Sequence, residues 1–387
     1  MNSKQFETAK MCLKVVTPIN IADGIVLGAK DYLYDSRRQK VYFLNLHQWH
    51  LFIYKHMLLE KYESYLANFR DKQSLLEWLR MQGYDIDDVR TVITSEAQAT
   101  VNLMDSERKK TLNDISRHIQ QPDGSLYVPG SSIKGVFRTA ILYSLLQKRH
   151  DIKVKYWRQI QKKISSNYFK PYRDFNKLIS DLENELLHTL RLLDGNIRSN
   201  NAVCSAMRGL QVSDTYASRN MQTAILQKVD GGFDKFGKAS PKKLPIFREC
   251  MLPEAELFFD VKIEKAVMNT IAINSVDDLL KATHSFFAAV TDLLQQAFGK
   301  EYQEAFQGVA AGNMFLGGNT GFLSKTLLAM LAPDKDTAKN TIKVLLDKSF
   351  KAHKHLLRDK VIAPRTLKCT NYNGKLMLMG VAEVRKV

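Results

Sequence analysis

The sequence predicts an α+β fold, and three observations carry the prediction. Period-two alternation marks strands near the start, the middle and the end of the chain. Apolar residues at three- and four-residue steps mark amphipathic helices between them. Hydrophobic residues make up 45% of the 387 positions, enough to bury a full core, so global disorder is excluded. The length corresponds to about two to three domain equivalents.

The elements follow in order. MCLKVVTPINI alternates around Leu13, Val15 and Val16 until Pro18, which has no N–H for a ladder. Asp23-Gly24 is a turn, and DYLYDSRRQKVYFLN reads as two short strands around a polar turn at Asp35 to Gln39. From about Leu46 to Leu79 the period is helical, carried by Leu51, Tyr54, Leu58 and Tyr62. Residues 85–120 are polar and mostly without a period. Turns at Asp123-Gly124 and Pro129-Gly130 then precede a helix whose N-cap is expected at Ser131 or Ser132. Ile133, Val136, Phe137, Ala140, Ile141 and Leu145 form its apolar stripe.

Residues 148–173 are strongly basic, with Tyr156, Trp157 and Tyr168 interleaved. Leu178, Leu182, Leu186 and Leu190 mark another helix, and Gly195 its stop. Leu210 and Val212 mark a buried strand. Residues 228–248 are rich in Gly, Pro and Lys, which predicts a long exposed loop. Leu257, Phe259, Val261 and Ile263 alternate as a strand, and residues 275–307 are mostly helical. In NMFLGGNTGFLSKTLLAML a Gly-rich turn opens a helix, and residues 339–358 predict a basic helix. Asn373-Gly374 is a strong hairpin turn.

Lys and Arg number 57 against 40 Asp and Glu, a net charge of +17 that favours a polyanionic partner. Cys12, Cys204, Cys250 and Cys369 lie far apart, which argues against a disulfide framework and a Cys-based zinc site and fits a reducing compartment. MNSKQFETAK lacks a signal-peptide core, and no apolar run approaches the roughly 18 residues of a membrane helix. A soluble, cytoplasmic protein with no membrane partner is expected.

The sharpest local feature is PGSSIKGVFRTA. Ser131 and Ser132 stand at a helix N-terminus, where free N–H groups favour an anion. Lys134 and Arg138 are four apart on one helix face, completing a phosphate-backbone cradle. Ordinary capping beside a solvated basic face explains the same residues equally well. A Walker A loop needs GxxxxGK[ST], whereas here Lys134 precedes Gly135, so nucleotide hydrolysis is rejected. In GGNTGFLSKT, Gly317, Gly318 and Gly321 open the backbone to close approach. Asn319 adds hydrogen bonds there and Lys325 a charge; a plain loop leading into a helix is the simpler alternative. His47, His50 and His56 fall in an aromatic helical segment, His353 and His355 in a basic one, and neither set forms a metal site. No GxSxG or Cys/His pair supports nucleophilic catalysis, turn formation explains Asp23, Asp31 and Asp35, and no metal or cofactor is expected.

Taken together, these stretches resemble the RAMP proteins of CRISPR systems. LYVPGSSIKGVFRTAIL looks like their signature helix, and LKVVTPINIADG like their first strand, with Asn20 where His is common. LQVSDTYA, FRECMLPEAELFFDVKIE (with Glu249 and Pro253) and GGNTGFLSKT resemble later segments in the right order. The DYLYD hairpin and the NTGFLSK wording fit best with a Csm subunit of type III-A effector complexes, the one that caps the filament near the 3′ end of the CRISPR RNA (crRNA).

That resemblance implies a ferredoxin-like, RNA-recognition-motif-like core in residues 1–268, with helical insertions at about 46–120 and 148–205. It implies a thumb at about 221–246 that inserts into guide–target pairing. Residues 269–387 would form a C-terminal helical region with the Gly-rich loop and a closing hairpin. Phe233 and Phe236 would supply the thumb's wedge, and Lys235, Lys238, Lys242 and Lys243 its phosphate contacts. The implied partners are crRNA, target RNA, the adjacent backbone RAMP subunit and the small helical Csm subunit. The leading expectation is a non-catalytic subunit that binds RNA backbone. The alternatives are a metal-dependent RNA endonuclease that matures crRNA, with Asp31 as its candidate, and a structural adaptor.

Overall fold

The computed structural model describes residues 5–68, 73–100, 112, 114–166, 168–191, 201–217 and 221–387. It is a mixed helix and sheet protein, with two sheets among the described residues. The first contains β1 (Phe6–Val15), β7 (Leu210–Val212), β8 (Tyr216–Ala217), β11 (Glu256–Glu264), β12 (Met314–Phe315) and β15 (Val381–Lys386). Its order is β12-β15-β1-β11-β7, with every pair antiparallel. Alternation decides which face is buried. Leu257, Phe259, Val261 and Ile263 of β11, with Met11, Leu13 and Val15 of β1, are fully buried. Phe6, Thr8, Lys10, Glu256 and Asp260 of the same strands are exposed. Each fully buried aliphatic side chain contributes about 1.5–3 kcal/mol.

Two long helices share the main core with this sheet: α4 (Gly130–Lys148) and α7 (Val276–Phe298). Tyr143 of α4 and Phe286 of α7 meet with ring centroids 5.6 Å apart. The basic stretch after α4 folds as α5 (His150–Ile164) and α6 (Pro171–Leu187), whose apolar faces join the same core. Gly195, read as the stop of α6, lies outside the described residues.

Among the described residues the second sheet has nine strands: β2 (Ala22–Leu27), β3 (Tyr32–Asp35), β4 (Lys40–Leu44), β5 (Ile93–Thr100), β6 (Ile115–His118), β9 (Thr223–Gly231), β10 (Lys242–Met251), β13 (Leu367–Tyr372) and β14 (Lys375–Leu378). Its main path runs β2-β6-β10-β9-β5-β4-β3, and the β13–β14 hairpin pairs with β9. The turn of that hairpin holds Asn373 at φ 50° and Gly374 at φ 77°, the positive values its sequence predicts.

Four readings are corrected. First, residues 85–120, read as polar without a period and placed in a helical insertion at about 46–120, carry the strands β5 and β6 of the second sheet. β5 buries Ala97 and Ala99, and so small an apolar face leaves little hydrophobic signal. Second, the predicted long loop at 228–248 is mostly the β9–β10 hairpin, with only residues 232–241 at its tip. A register shift between Lys243 and Phe247 accommodates the segment carrying Pro245. Third, the signature helix starts at Gly130 with Pro129 at the N-cap, not at a serine. Fourth, the basic helix expected at 339–358 breaks: α8 (Lys335–Ser349) ends at Phe350 and one-turn helices follow.

The helices α1 (Leu46–Lys55), α2 (Leu59–Ala67) and α3 (Leu75–Met81) form a unit with its own aromatic core of Trp49, Tyr62, Tyr65 and Trp78. Local signals fix their ends. The Asn45 side chain accepts from the Gln48 N–H, and Ser74 and Glu77 make a capping box. No helix among the described residues is long and apolar enough to cross a membrane.

Candidate nucleic-acid interface

The N-terminus of α4 is held against β7 too closely for any side chain at Gly130. A Cβ there would lie 2.4 Å from the Val212 carbonyl oxygen. The Gly130 N–H donates to Asp214 Oδ1 at 2.7 Å. A protein carboxylate therefore already occupies the helix end that the sequence offers to an external anion. Ser131 is exposed and Ser132 half-buried. Arg138 is exposed and turned toward α6, with Nη1 3.5 Å from Glu183 Oε2. Lys134 is half-buried, and burial first, then the Arg138 charge, lowers its pKa.

The Gly-rich loop is fastened to the turn after β1. Gly317 sits at φ 88°, and a Cβ on it would lie 2.4 Å from the Asn20 carbonyl oxygen. The Gly318 N–H donates to that oxygen at 2.7 Å. The buried Asn20 side chain donates from Nδ2 to the Glu249 carbonyl at 2.8 Å and accepts from Arg248 Nη1 at 3.0 Å. Lys325 is exposed, although desolvation, then the Arg248 charge, lowers its pKa.

Between α4 and this loop lies a cleft of about 290 Å³, lined among others by Ile21, Ser132, Gly135, Gly317, Gly318 and Lys325. Ser132, Gly135, Val136 and Thr139, at helical spacing, present one face of α4 to it. The fold thus brings Ser132, Gly317, Gly318 and Lys325 together. Ser131, Lys134 and Arg138 stand outside the lining. Asn319 turns away, donating to Met379 Sδ at 2.9 Å, and Gly321 approaches Lys368.

A buried polar network lies beside the cleft. Glu249 accepts from Arg117 Nε, the His118 N–H and Thr223 Oγ1, each at 3.2 Å. His118 Nδ1 accepts from the Ile21 N–H at 3.1 Å, and Nε2 faces the Tyr127 carbonyl at 3.2 Å. The ring is therefore neutral, with its proton on Nε2. Burial agrees, lowering the His118 pKa to about 4. Pairwise sequence spacing gives no hint of this network, although Asn20 and Glu249 fall in the segments that carry the family resemblance.

The β9–β10 tip divides its aromatics. Phe233 stacks on Phe298 of α7 with centroids 5.3 Å apart, and Tyr302 packs edge-on against it. The Tyr302 hydroxyl donates to the Gly232 carbonyl and accepts from the Ser240 N–H. Phe233 thus anchors the hairpin and is not free to act as a wedge. Phe236 is 76% exposed, with Lys235 Nζ 4.9 Å from its ring centroid. Asp234 Oδ1 accepts from the Phe236 and Lys238 N–H groups and shapes this turn. Lys238 and Lys242 are exposed, and Lys243 is half-buried.

The remaining candidates have structural roles. His56 Nδ1 is 2.9 Å from the Tyr84 hydroxyl, and buried His355 is 2.8 Å from Asp359. Asp31 Oδ2 accepts from the Gly28 N–H in a turn. Among the described residues no group of three His, Cys, Asp or Glu is placed to hold a metal.

Comparison with known proteins adds ancestry to this geometry. The chain matches the RAMP superfamily over residues 12–321. A Mycobacterium tuberculosis (strain CDC 1551 / Oshkosh) protein described as CRISPR system Cms protein Csm5 is 26% identical, covering 98% of this chain and 97% of its own length. An Enterococcus italicus protein of the same description is 23% identical, covering 88% of this chain and 85% of its own. A chain from the cryo-EM structure of a type III-A Csm-crRNA-target RNA ternary complex superposes with TM-score 0.64 at 19% identity, over 98% of this chain and all of its own (100%). The crystal structure of T. onnurineus Csm5 gives 0.58 at 19% identity, over 96% and 99%. At such identity the solved structures establish the fold.

Proposed function

The chain belongs to the RAMP superfamily, and from that premise we propose that it is the Csm5 subunit of a type III-A CRISPR effector complex. In this reading it binds crRNA through the sugar-phosphate backbone, performs no chemistry, and caps the complex at the 3′ end of the guide. The observation that carries it is the cleft where Ser132 of α4 faces Gly317, Gly318 and Lys325. The half-buried Gly317 and Gly318 line one side, the Ser132 hydroxyl lines the facing wall, and Lys325 supplies charge. These groups recognise phosphate without reading a base, which suits a guide of variable sequence.

Other features fit the same reading. The antiparallel order β15-β1-β11-β7, with α4 after the first strand and α7 after the third, supports a ferredoxin-like core. In this reading residues 1–268 supply β1, α4, β7 and β11 of that core with its insertions, and residues 269–387, which carry the Gly-rich loop and closing hairpin, complete it with α7 and β15. The β9–β10 hairpin is assigned as the thumb, with Phe236 as its exposed aromatic and Lys235, Lys238, Lys242 and Lys243 beside the target RNA. Lys134 and Arg138, outside the cleft, extend the basic surface toward α6. The protein partners are the adjacent backbone RAMP subunit and the small helical Csm subunit, in the cytoplasm.

The test is fluorescence anisotropy with labelled oligouridylate and oligoadenylate. Similar affinity for both is expected, with log affinity falling by about 0.7 per phosphate contact for each tenfold rise in salt. Ser132→Ala with Lys325→Gln should weaken both RNAs equally. Affinity that ignores salt, or that depends strongly on the base, would overturn the reading.

A further inference from the structure

Against the Gly-rich loop, outside the lining of the cleft, lies a second group of cations. Arg248 pairs in register with Leu226, and Lys368 with Asp230. Residues two apart on a strand share a face, so Leu226, Lys228 and Asp230 project together. Arg248, Lys228, Asp230 and Lys368 therefore emerge from one face of the second sheet. The loop crosses that face closely. A Cβ on Gly318 would stand 3.1 Å from Arg248 Nη1, and one on Gly321 would stand 3.5 Å from Lys368 Cγ.

The local charge does not balance. Lys368 Nζ lies 2.9 Å from Asp230 Oδ1 and Lys228 Nζ 3.7 Å from it, so one carboxylate serves both lysines. All three side chains are about a fifth exposed or less, at 21%, 17% and 17%. Arg248 has Nη1 on Asn20, while its Nε is buried and has no hydrogen-bond partner among the described residues. Three cations and one carboxylate leave two positive charges largely out of solvent. Desolvation, then Lys368, lowers the Lys228 pKa, and Arg248 adds to it. An anion with several acceptor oxygens would relieve the excess and suit the donors that converge there.

We propose that Arg248, Lys228 and Lys368 form a seat for an RNA backbone phosphate beneath the Gly-rich loop, with Asp230 as its resident counter-ion. This rests on the RNA-binding reading and adds a second contact point to the cleft. Arg248 links the two, since its charge also acts on Lys325. Lys228 and Asp230 lie just before the hairpin tip, so the seat joins the cleft to the thumb. In the free protein Asp230 holds the lysines, and a phosphate competes for them.

The competition gives variants opposite signs. By anisotropy with the full-length chain, Arg248→Gln should weaken oligouridylate binding about tenfold, the worth of one charge-assisted hydrogen bond. Lys228→Gln with Lys368→Gln should weaken it and reduce the salt slope. Asp230→Asn should tighten binding. Loss of affinity in Asp230→Asn, or wild-type affinity in a folded Arg248→Gln, would overturn the seat. If Arg248→Gln fails to fold, the sign of the Asp230→Asn effect decides alone. If inorganic phosphate at matched ionic strength displaces RNA from the wild type more readily than from Arg248→Gln, RNA and phosphate share the seat as proposed; if phosphate binds in an Arg248-dependent way without displacing RNA, the seat takes free phosphate and the proposal fails. Weakening by Ser132→Ala with Lys325→Gln alone sinks the seat and leaves the cleft standing; weakening by the seat variants alone does the reverse. A wild-type chain that binds no RNA defeats both.

Discussion

His118 shows how burial sets the chemistry of a single residue. Its ordinary pKa is near 6.5, and the fold lowers it to about 4. On acidification the unfolded chain takes the proton first. The stability held in the neutral ring is thus complete above about pH 6.5 and lost as pH falls toward about 4. Between about pH 7 and pH 5 this amounts to about 2 kcal/mol. Urea unfolding at the two values should show that loss, and His118→Asn should flatten the difference. A slope unchanged in the variant would assign the acid sensitivity to other groups. At this scale only part of the site was legible in the sequence. The glycines announce themselves because few other reasons place three in one short turn. Asn20 and its contacts do not, because Arg248 and Glu249 reach it across 228 and 229 residues of chain.

Among the elements, the β9–β10 hairpin separates anchoring from reach. Phe233 lies on Phe298, and Phe236 lies in solvent. Phe233→Ala should cost about 2 kcal/mol, below the loss for a fully buried Phe because this ring is only partly covered. Phe236→Ala should change stability by less than about 0.5 kcal/mol and yet reduce retention of target RNA in the assembled complex. Chemical denaturation and a filter-retention assay separate the two effects; similar unfolding costs would mean that the tip is packed as a whole. The sequence displays both phenylalanines in one polar, Gly-rich stretch and cannot rank them, since the difference depends on where α7 ends. The same applies to β5, whose alanine face becomes visible only once β4 and β9 enclose it. The strands β1 and β11 were legible because their buried faces are large and alternate cleanly.

For the molecule as a whole, the net charge of +17 acts on folding and binding with opposite signs. Self-repulsion opposes the compact state and is screened by salt, while backbone binding draws on counterion release and is weakened by it. The melting temperature of the free chain should rise from low to moderate salt while RNA affinity falls. Differential scanning fluorimetry beside anisotropy measures both, and a parallel fall would mean that salt mainly loosens internal ion pairs. Composition alone gave the sign of this charge. Its arrangement around the cleft and the second sheet required the fold, because Lys228, Arg248, Lys325 and Lys368 come from four separate segments.

The sheet that holds the main core closes across almost the whole chain, with Leu13 opposite Val384 and Met11 opposite Lys386. Synthesis is vectorial, so a nascent chain can pair β1 with β11 once residue 264 has emerged, but β1 keeps one bare edge until β15 follows. An unpaired edge is a template for intermolecular pairing. During translation of the intervening residues, the ribosome-bound chain would be sticky in a way the finished protein is not. Chaperone demand and inclusion-body formation on overexpression should therefore depend on how quickly β15 is delivered.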